Sequence, residues 1–197
     1  MRWKIMMQSK KPTNKWLVKD NNSKIREKSI PVTLPLTKED ELTMQKLIDY
    51  VTCSQDKEIN KDNHLIPAVG LAACQIGVNK QMYYIRLTLP QKNGTNELIE
   101  HALINPKIIG YSKQKACLKE GEGCLSVCKQ KPGYVIRHFK FIVAGYDYLK
   151  QKEVKITAIN YEAIVIQHEQ KHLEGILYYD LINKKNPWKE IENCIYL

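Results

Sequence analysis

Apolar residues along the chain fall into two kinds of spacing. Leu42, Leu47, Ile48 and Val51 recur at helical spacing behind Thr37 and Asp40, a pair suited to a capping start, so a first amphipathic helix is expected over about 38 to 52. It should lie on the core as scaffold. The polar run Ser54 to Asn63 then reads as a surface loop. Short β-rich stretches follow at Met82 to Leu87, Leu98 to Ile104, Phe139 to Tyr146 and Glu153 to Ile159, separated by turn formers such as Asn93-Gly94 and Pro132-Gly133. In the last of them Val154, Ile156 and Ala158 alternate with Lys155 and Thr157, the pattern of a half-buried strand. Asn160 is placed to cap a second helix whose opening, Tyr161 to Ile166, is apolar nearly all round, and Gly175 supplies a left-handed stop. That helix should be central. Residues 1 to 15 show no periodicity and read as a flexible extension, leaving 16–197 as a single domain. These elements predict an α+β fold with antiparallel β-sheets packed around the central helix.

Length and composition agree with one core: the chain has 197 residues, 43% of them apolar, and no internal repeat. Apolar runs such as Ala163 to Ile166 are far shorter than the roughly 20 residues needed to cross a bilayer. The first thirty residues lack the pattern of a secretory signal, so a cytoplasmic protein with no membrane association is expected. Thirty-one basic against 21 acidic residues give a net charge of +10. The lysines are scattered among acids without forming a stripe, which favours a solvated surface over specific nucleic-acid recognition. Six cysteines in a reducing compartment are expected to be thiols or metal ligands rather than disulfides.

The candidate chemistry lies inside the apolar helix, in Gln167-His168-Glu169-Gln170-Lys171-His172. Two histidines four apart sit about 40° from each other around a helix, so both imidazoles can reach one cation. Glu169 flanks them, able to touch a water beside the cation without ligating it. This is the His-Glu-x-x-His arrangement of zinc-type chemistry. On an exposed helix such a match carries little weight. In a buried one, unpaired polar groups cost on the order of 1–3 kcal/mol each, which a metal would relieve.

A catalytic divalent ion usually takes three protein ligands. The natural third is a cysteine: Cys124, in Glu122-Gly123-Cys124-Leu125-Ser126, with Cys128 as its rival. Cys53, Cys117 and Cys194 have no such context. From the residues alone three readings stand: a hydrolase with an open ligand position, a zinc peptidase of the His-Glu-x-x-His type with its third ligand downstream, and a basic, non-catalytic binding protein whose metal is structural, with Cys128 completing the set.

Three segments in order resemble the peptide deformylase family: Ala68-Val69-Gly70-Leu71-Ala72-Ala73-Cys74-Gln75, Glu122-Gly123-Cys124-Leu125-Ser126, and Gln167-His168-Glu169-Gln170-Lys171-His172-Leu173-Glu174-Gly175. Similarity extends from about Trp16 to Asn183, and Pro31 to Leu36 and Pro132 to Val135 resemble the longer, Gram-positive-type branch. The resemblance implies a metal-dependent hydrolase that removes the formyl group from the N-terminal formyl-methionine of newly made proteins and releases formate. It implies Cys124, His168 and His172 as ligands of one divalent metal, iron(II) by preference with zinc, nickel or cobalt also suited, and Glu169 as acid and base. It implies that Gln75, through its amide, and Leu125, through its backbone N–H, donate to the formyl oxygen. Val69, Gly70 and Gly123 would meet the peptide as an added strand, while Ile164 and Val165 would line the methionine pocket. It also implies a monomer that binds nascent formyl-methionyl peptides in transient proximity to the ribosome. Four positions depart from the family pattern: Ala68 where glycine is usual, Lys171 where aspartate is usual, and Cys74 and Cys128 where proline is frequent. Lys171 is expected to snorkel away from the cation, and Cys74 and Cys128 to place oxidisable thiols near the site.

Overall fold

The computed structural model describes residues 11–91 and 94–197; most of the expected extension and Asn93 of the expected Asn93-Gly94 turn fall outside them. Helix α1 (Lys38–Gln55) begins at the capping pair, with the Asp40 N–H donating to Thr37 Oγ1 at 3.2 Å and the Thr37 N–H to the Asp40 carboxylate at 3.0 Å. The polar run after it forms a second short helix, α2 (Lys57–Asn63), where a loop was expected. Asp56 accounts for the difference, since its carboxylate accepts from the N–H groups of Glu58 and Ile59 at 2.9 and 3.0 Å. A cap of that kind starts a helix without an apolar face, and no residue of α2 is buried.

The remaining elements are β1 (Gly70–Ala72), β2 (Met82–Pro90), β3 (Asn96–Tyr111), β4 (Lys115–Cys117), β5 (Arg137–His138), β6 (Lys140–Asp147), β7 (Lys152–Ile159), α3 (Asn160–Leu173) and β8 (Cys194–Tyr196). One antiparallel sheet runs in the order β1-β2-β3-β6-β7, with β2 and β3 in register from Met82↔Ile104 to Pro90↔Asn96. Alternate side chains of its strands serve two cores. Met82, Tyr84, Ala102 and Ile104 pack with Met44, Leu47, Ile48 and Val51 of α1. Tyr83, Ile85, Leu103 and Val143 belong to the other core with Ala163, Val165 and Ile166 of α3. A strand covered on both faces loses its period-two pattern, which is why β2 reads as a nearly continuous apolar run. β7 keeps it, with Ile156 and Ala158 buried against exposed Lys155 and Thr157.

A second sheet, β5-β4-β8, contains one parallel pair, β4 with β8, from Lys115↔Cys194 to Cys117↔Tyr196. The packed part of the chain also reaches back before residue 16. Asn14 donates to the His64 carbonyl at 2.9 Å, and its Oδ1 accepts from the Tyr50 hydroxyl at 2.8 Å and the Ile66 N–H at 3.1 Å.

Helix α3 enters differently from expectation. Asn160 makes no side-chain cap; it takes a left-handed φ of 53°, which asparagine tolerates, and Ile159 is the N-cap residue. Its exit is as expected. Gly175 has φ +75°, and a Cβ there would lie 2.1 Å from the Arg26 carbonyl oxygen, so only glycine fits.

Candidate metal centre

α3 presents His168 and His172 one turn apart, and the loop following β4 brings Cys124 over them. The Cys124 Sγ and the His168 Nε2 each lie 3.2 Å from the His172 Nε2, and the three donor atoms all fall within 4.8 Å of one another. Lone pairs this close are compatible only with protons or a cation between them. One cysteine sulfur and two imidazole nitrogens form a donor set for a borderline-soft divalent ion. The residues therefore fit a metal. Cys128 is exposed, with its N–H donating to Asp20 at 3.1 Å, and stands outside the cluster.

One residue beside the centre was passed over in the sequence. The Glu122 carboxylate accepts from Arg137 Nε and Nη2 at 2.6 and 2.8 Å, and its Oε2 lies 2.8 Å from His168 Nδ1. That contact fixes the His168 ring so that Nε2 faces the cluster. Burial opposes ionisation of Glu122, but Arg137 and then His168 outweigh it and hold its carboxyl down to about 2. An acid inside an otherwise apolar motif was the only hint available. Arg137 gave none, because β5 brings it near only after folding. Replacing Arg137 with methionine should strand a buried carboxylate and cost about 3–5 kcal/mol, read as a lower thermal midpoint; adding Glu122→Gln should recover part of the loss.

Glu169 lies beside the donors without joining them. Burial lifts its carboxyl to about 7, against the pull of His168 and Arg137. It sits under β1, where a Cβ on Gly70 would come within 2.5 Å of its Oε1. Gly70→Ala should therefore displace the carboxylate and lower kcat by about 10–100-fold with metal content unchanged; an undisturbed kcat would show that this close approach is dispensable.

Gln75 is aimed rather than merely nearby. Its Oε1 accepts from the Ala72 N–H at 2.8 Å, which turns Nε2 toward Ser126 Oγ at 3.2 Å and Cys124 Sγ at 3.6 Å. The Leu125 carbonyl accepts from Lys19 Nζ at 2.6 Å, while the Leu125 N–H makes no hydrogen bond to the described residues. These groups open on a cleft of about 420 Å³ whose lining includes Val69, Gly70, Gly123, Ile164 and Val165. All the residues expected to form the site thus converge. Along one wall runs β1, the edge strand of its sheet.

The departures are accommodated. Ala68 does not have a positive φ; its N–H donates to Ser54 Oγ at 3.1 Å and its carbonyl accepts from Gln55 at 2.8 Å. Lys171 pairs with Glu174 at 2.5 Å, as a snorkelling side chain would. Cys74 is buried, and burial, followed by Glu169 and Cys124, pushes its thiol up to about 12. Burial thus disfavours its thiolate, while Cys128 is the exposed thiol.

The family model described as polypeptide deformylase matches residues 14–188. A peptide deformylase of Mycoplasma genitalium is 43% identical over 177 residues, covering 90% of this chain and 89% of that one. Peptide deformylase 2 of Geobacillus stearothermophilus is 42% identical over 183 residues, covering 93% and 97%. Among solved structures, a peptide deformylase from Synechococcus elongatus in complex with actinonin superposes with a TM-score of 0.68 at 25% identity, covering 90% of this chain and 84% of that one.

Proposed function

The chain belongs to the polypeptide deformylase family, and on that premise we propose how its own residues divide the work of the reaction. The enzyme is a metal-dependent hydrolase that removes the formyl group from the N-terminal formyl-methionine of newly made proteins. Cys124, His168 and His172 hold the divalent ion. When bound, the ion supplies Lewis-acid activation of water and of the formyl carbonyl. The incoming peptide lies extended along β1, pairing with Val69 and Gly70 opposite Gly123, as a strand added to the sheet edge. Its methionine side chain is received by Ile164 and Val165.

As the formyl carbon is attacked, Glu169 takes the proton of the attacking water on its carboxylate and later delivers it to the leaving amine, so formate and a free N-terminus depart. Negative charge develops on the formyl oxygen in between. Gln75 Nε2 and the Leu125 N–H donate to it there, and one such donor is typically worth about 3–4 kcal/mol. Iron(II) is the favoured metal, with zinc, nickel and cobalt compatible with the same ligands. A monomeric catalytic domain working in the cytoplasm near the ribosome completes the reading. No helix among the described residues is long and apolar enough to cross a membrane.

The observation that carries this division of roles is the convergence of one thiolate, two imidazoles and a separate buried carboxylate on a single cleft. Protein purified without oxygen and mixed with N-formyl-Met-Ala-Ser is expected to release formate and leave the tripeptide whole. Cleavage of a peptide bond, or no reaction, would contradict it.

A further inference from the structure

The two loops that carry Gln75 and Leu125 are tied together by a segment outside all three motifs. Val18 N–H donates to the Gln75 carbonyl at 2.8 Å, Lys19 Nζ to the Leu125 carbonyl at 2.6 Å, and Asp20 N–H to the Ser126 carbonyl at 2.7 Å. Asp20 is itself held, its Oδ1 accepting from the Cys128 N–H at 3.1 Å and its Oδ2 from the Tyr179 hydroxyl at 3.3 Å. Three consecutive residues thus reach both walls of the site, and Lys19 also lines the cleft.

We propose that Lys19 is a positioning residue for the deformylation step, and that the strap Val18–Asp20 holds the Gln75 and Leu125 donors at the spacing the developing oxyanion requires. The proposal rests on the reading of those two groups as oxyanion donors. Hydrogen bonds from an ammonium to a carbonyl are charge-assisted and roughly twice as strong as neutral ones. Lys19 therefore fixes the peptide plane between Leu125 and Ser126 more firmly than a neutral side chain could. The N–H of that same peptide belongs to Ser126 and points at Cys124 Sγ, 3.4 Å away. Fixing the plane orients the ligand sulfur as well as the Leu125 backbone, and a polarised peptide is the better donor to a thiolate. The strap's hydrogen bonds go to Gln75, Leu125, Ser126, Cys128 and Tyr179, and not to Ile164 or Val165 of the proposed methionine pocket. Its loss should act on the chemical step and leave substrate affinity alone, because a small misplacement of an electrostatic donor is felt chiefly in the transition state.

The test compares Lys19→Met and Lys19→Arg in the metal-loaded full chain, with steady-state kinetics on N-formyl-Met-Ala-Ser, metal content and thermal midpoint. Lys19→Met is expected to lower kcat about tenfold with KM within about twofold, and Lys19→Arg to restore most of kcat. If Lys19→Met proves unstable, Lys19→Gln, a neutral donor of shorter reach, serves the same comparison with Lys19→Arg. Unchanged kcat, a rise in KM alone, or an arginine variant no better than the neutral one would overturn the proposal. Gln75→Leu separates the two layers. If it lowers kcat while Lys19→Met does not, the strap alone is wrong; if it also leaves kcat intact, the oxyanion reading itself fails.

Discussion

Glu169→Gln yields a chain that folds and binds its metal but turns over about a thousandfold more slowly, within the range general acid–base catalysis contributes. The expectation follows from separable roles. The carboxylate is not one of the three clustered donor atoms, so an amide of the same shape leaves the ligand set intact. It is, however, the buried group under Gly70 whose carboxyl burial has lifted to about 7, close to neutral pH, where a proton is accepted and returned most readily. Glutamine fills the space and cannot carry the proton. Kinetics at matched metal content read the effect, and near-normal kcat would remove Glu169 from the mechanism.

Cys124→Ala should reduce metal affinity by at least about two orders of magnitude, since even losing a group behind a ligand costs 10–100-fold. Activity should fall with it. The thiolate is the only anionic member of the donor set, and two imidazoles alone leave the cation's charge uncompensated. The same sulfur also accepts from Gln75 Nε2 and the Ser126 N–H, so its loss loosens the donors on both loops. Cys128→Ala is the internal comparison. That thiol is exposed and away from the cluster, so its removal should change neither metal content nor rate. Metal analysis after equilibrium dialysis distinguishes the two variants.

The site was more legible in the sequence than the scaffold around it. His168, Glu169 and His172 share one helix, so 3.6-residue geometry alone brings them together. Cys124 comes from a distant loop and stood as the candidate third ligand on its own motif, with Cys128 as rival, whereas only the family resemblance connected Gln75 to the site. Glu122 and Arg137 were missed because a bidentate pair across 15 residues leaves no periodic trace. Among the elements, α1 and the long strands announced themselves through capping and apolar spacing. The short strands β1, β4, β5 and β8 did not, since two or three residues cannot display a period. The helix α2 was hidden for a different reason: Ile59 is its one apolar residue, so it has no apolar spacing to display, and the Asp56 cap starts it. Asn160 shows the converse error, in which the right residue type stood at the right place but used its tolerance of positive φ rather than its side chain.

X-ray absorption at the metal edge, on protein purified under anaerobic conditions, addresses the central claim most directly. One sulfur and two imidazole nitrogens from the protein are predicted around the ion, with the sulfur contribution vanishing in Cys124→Ala. A second sulfur, or a sulfur signal that survives that substitution, would contradict the assignment of Cys124, His168 and His172 as the complete protein ligand set.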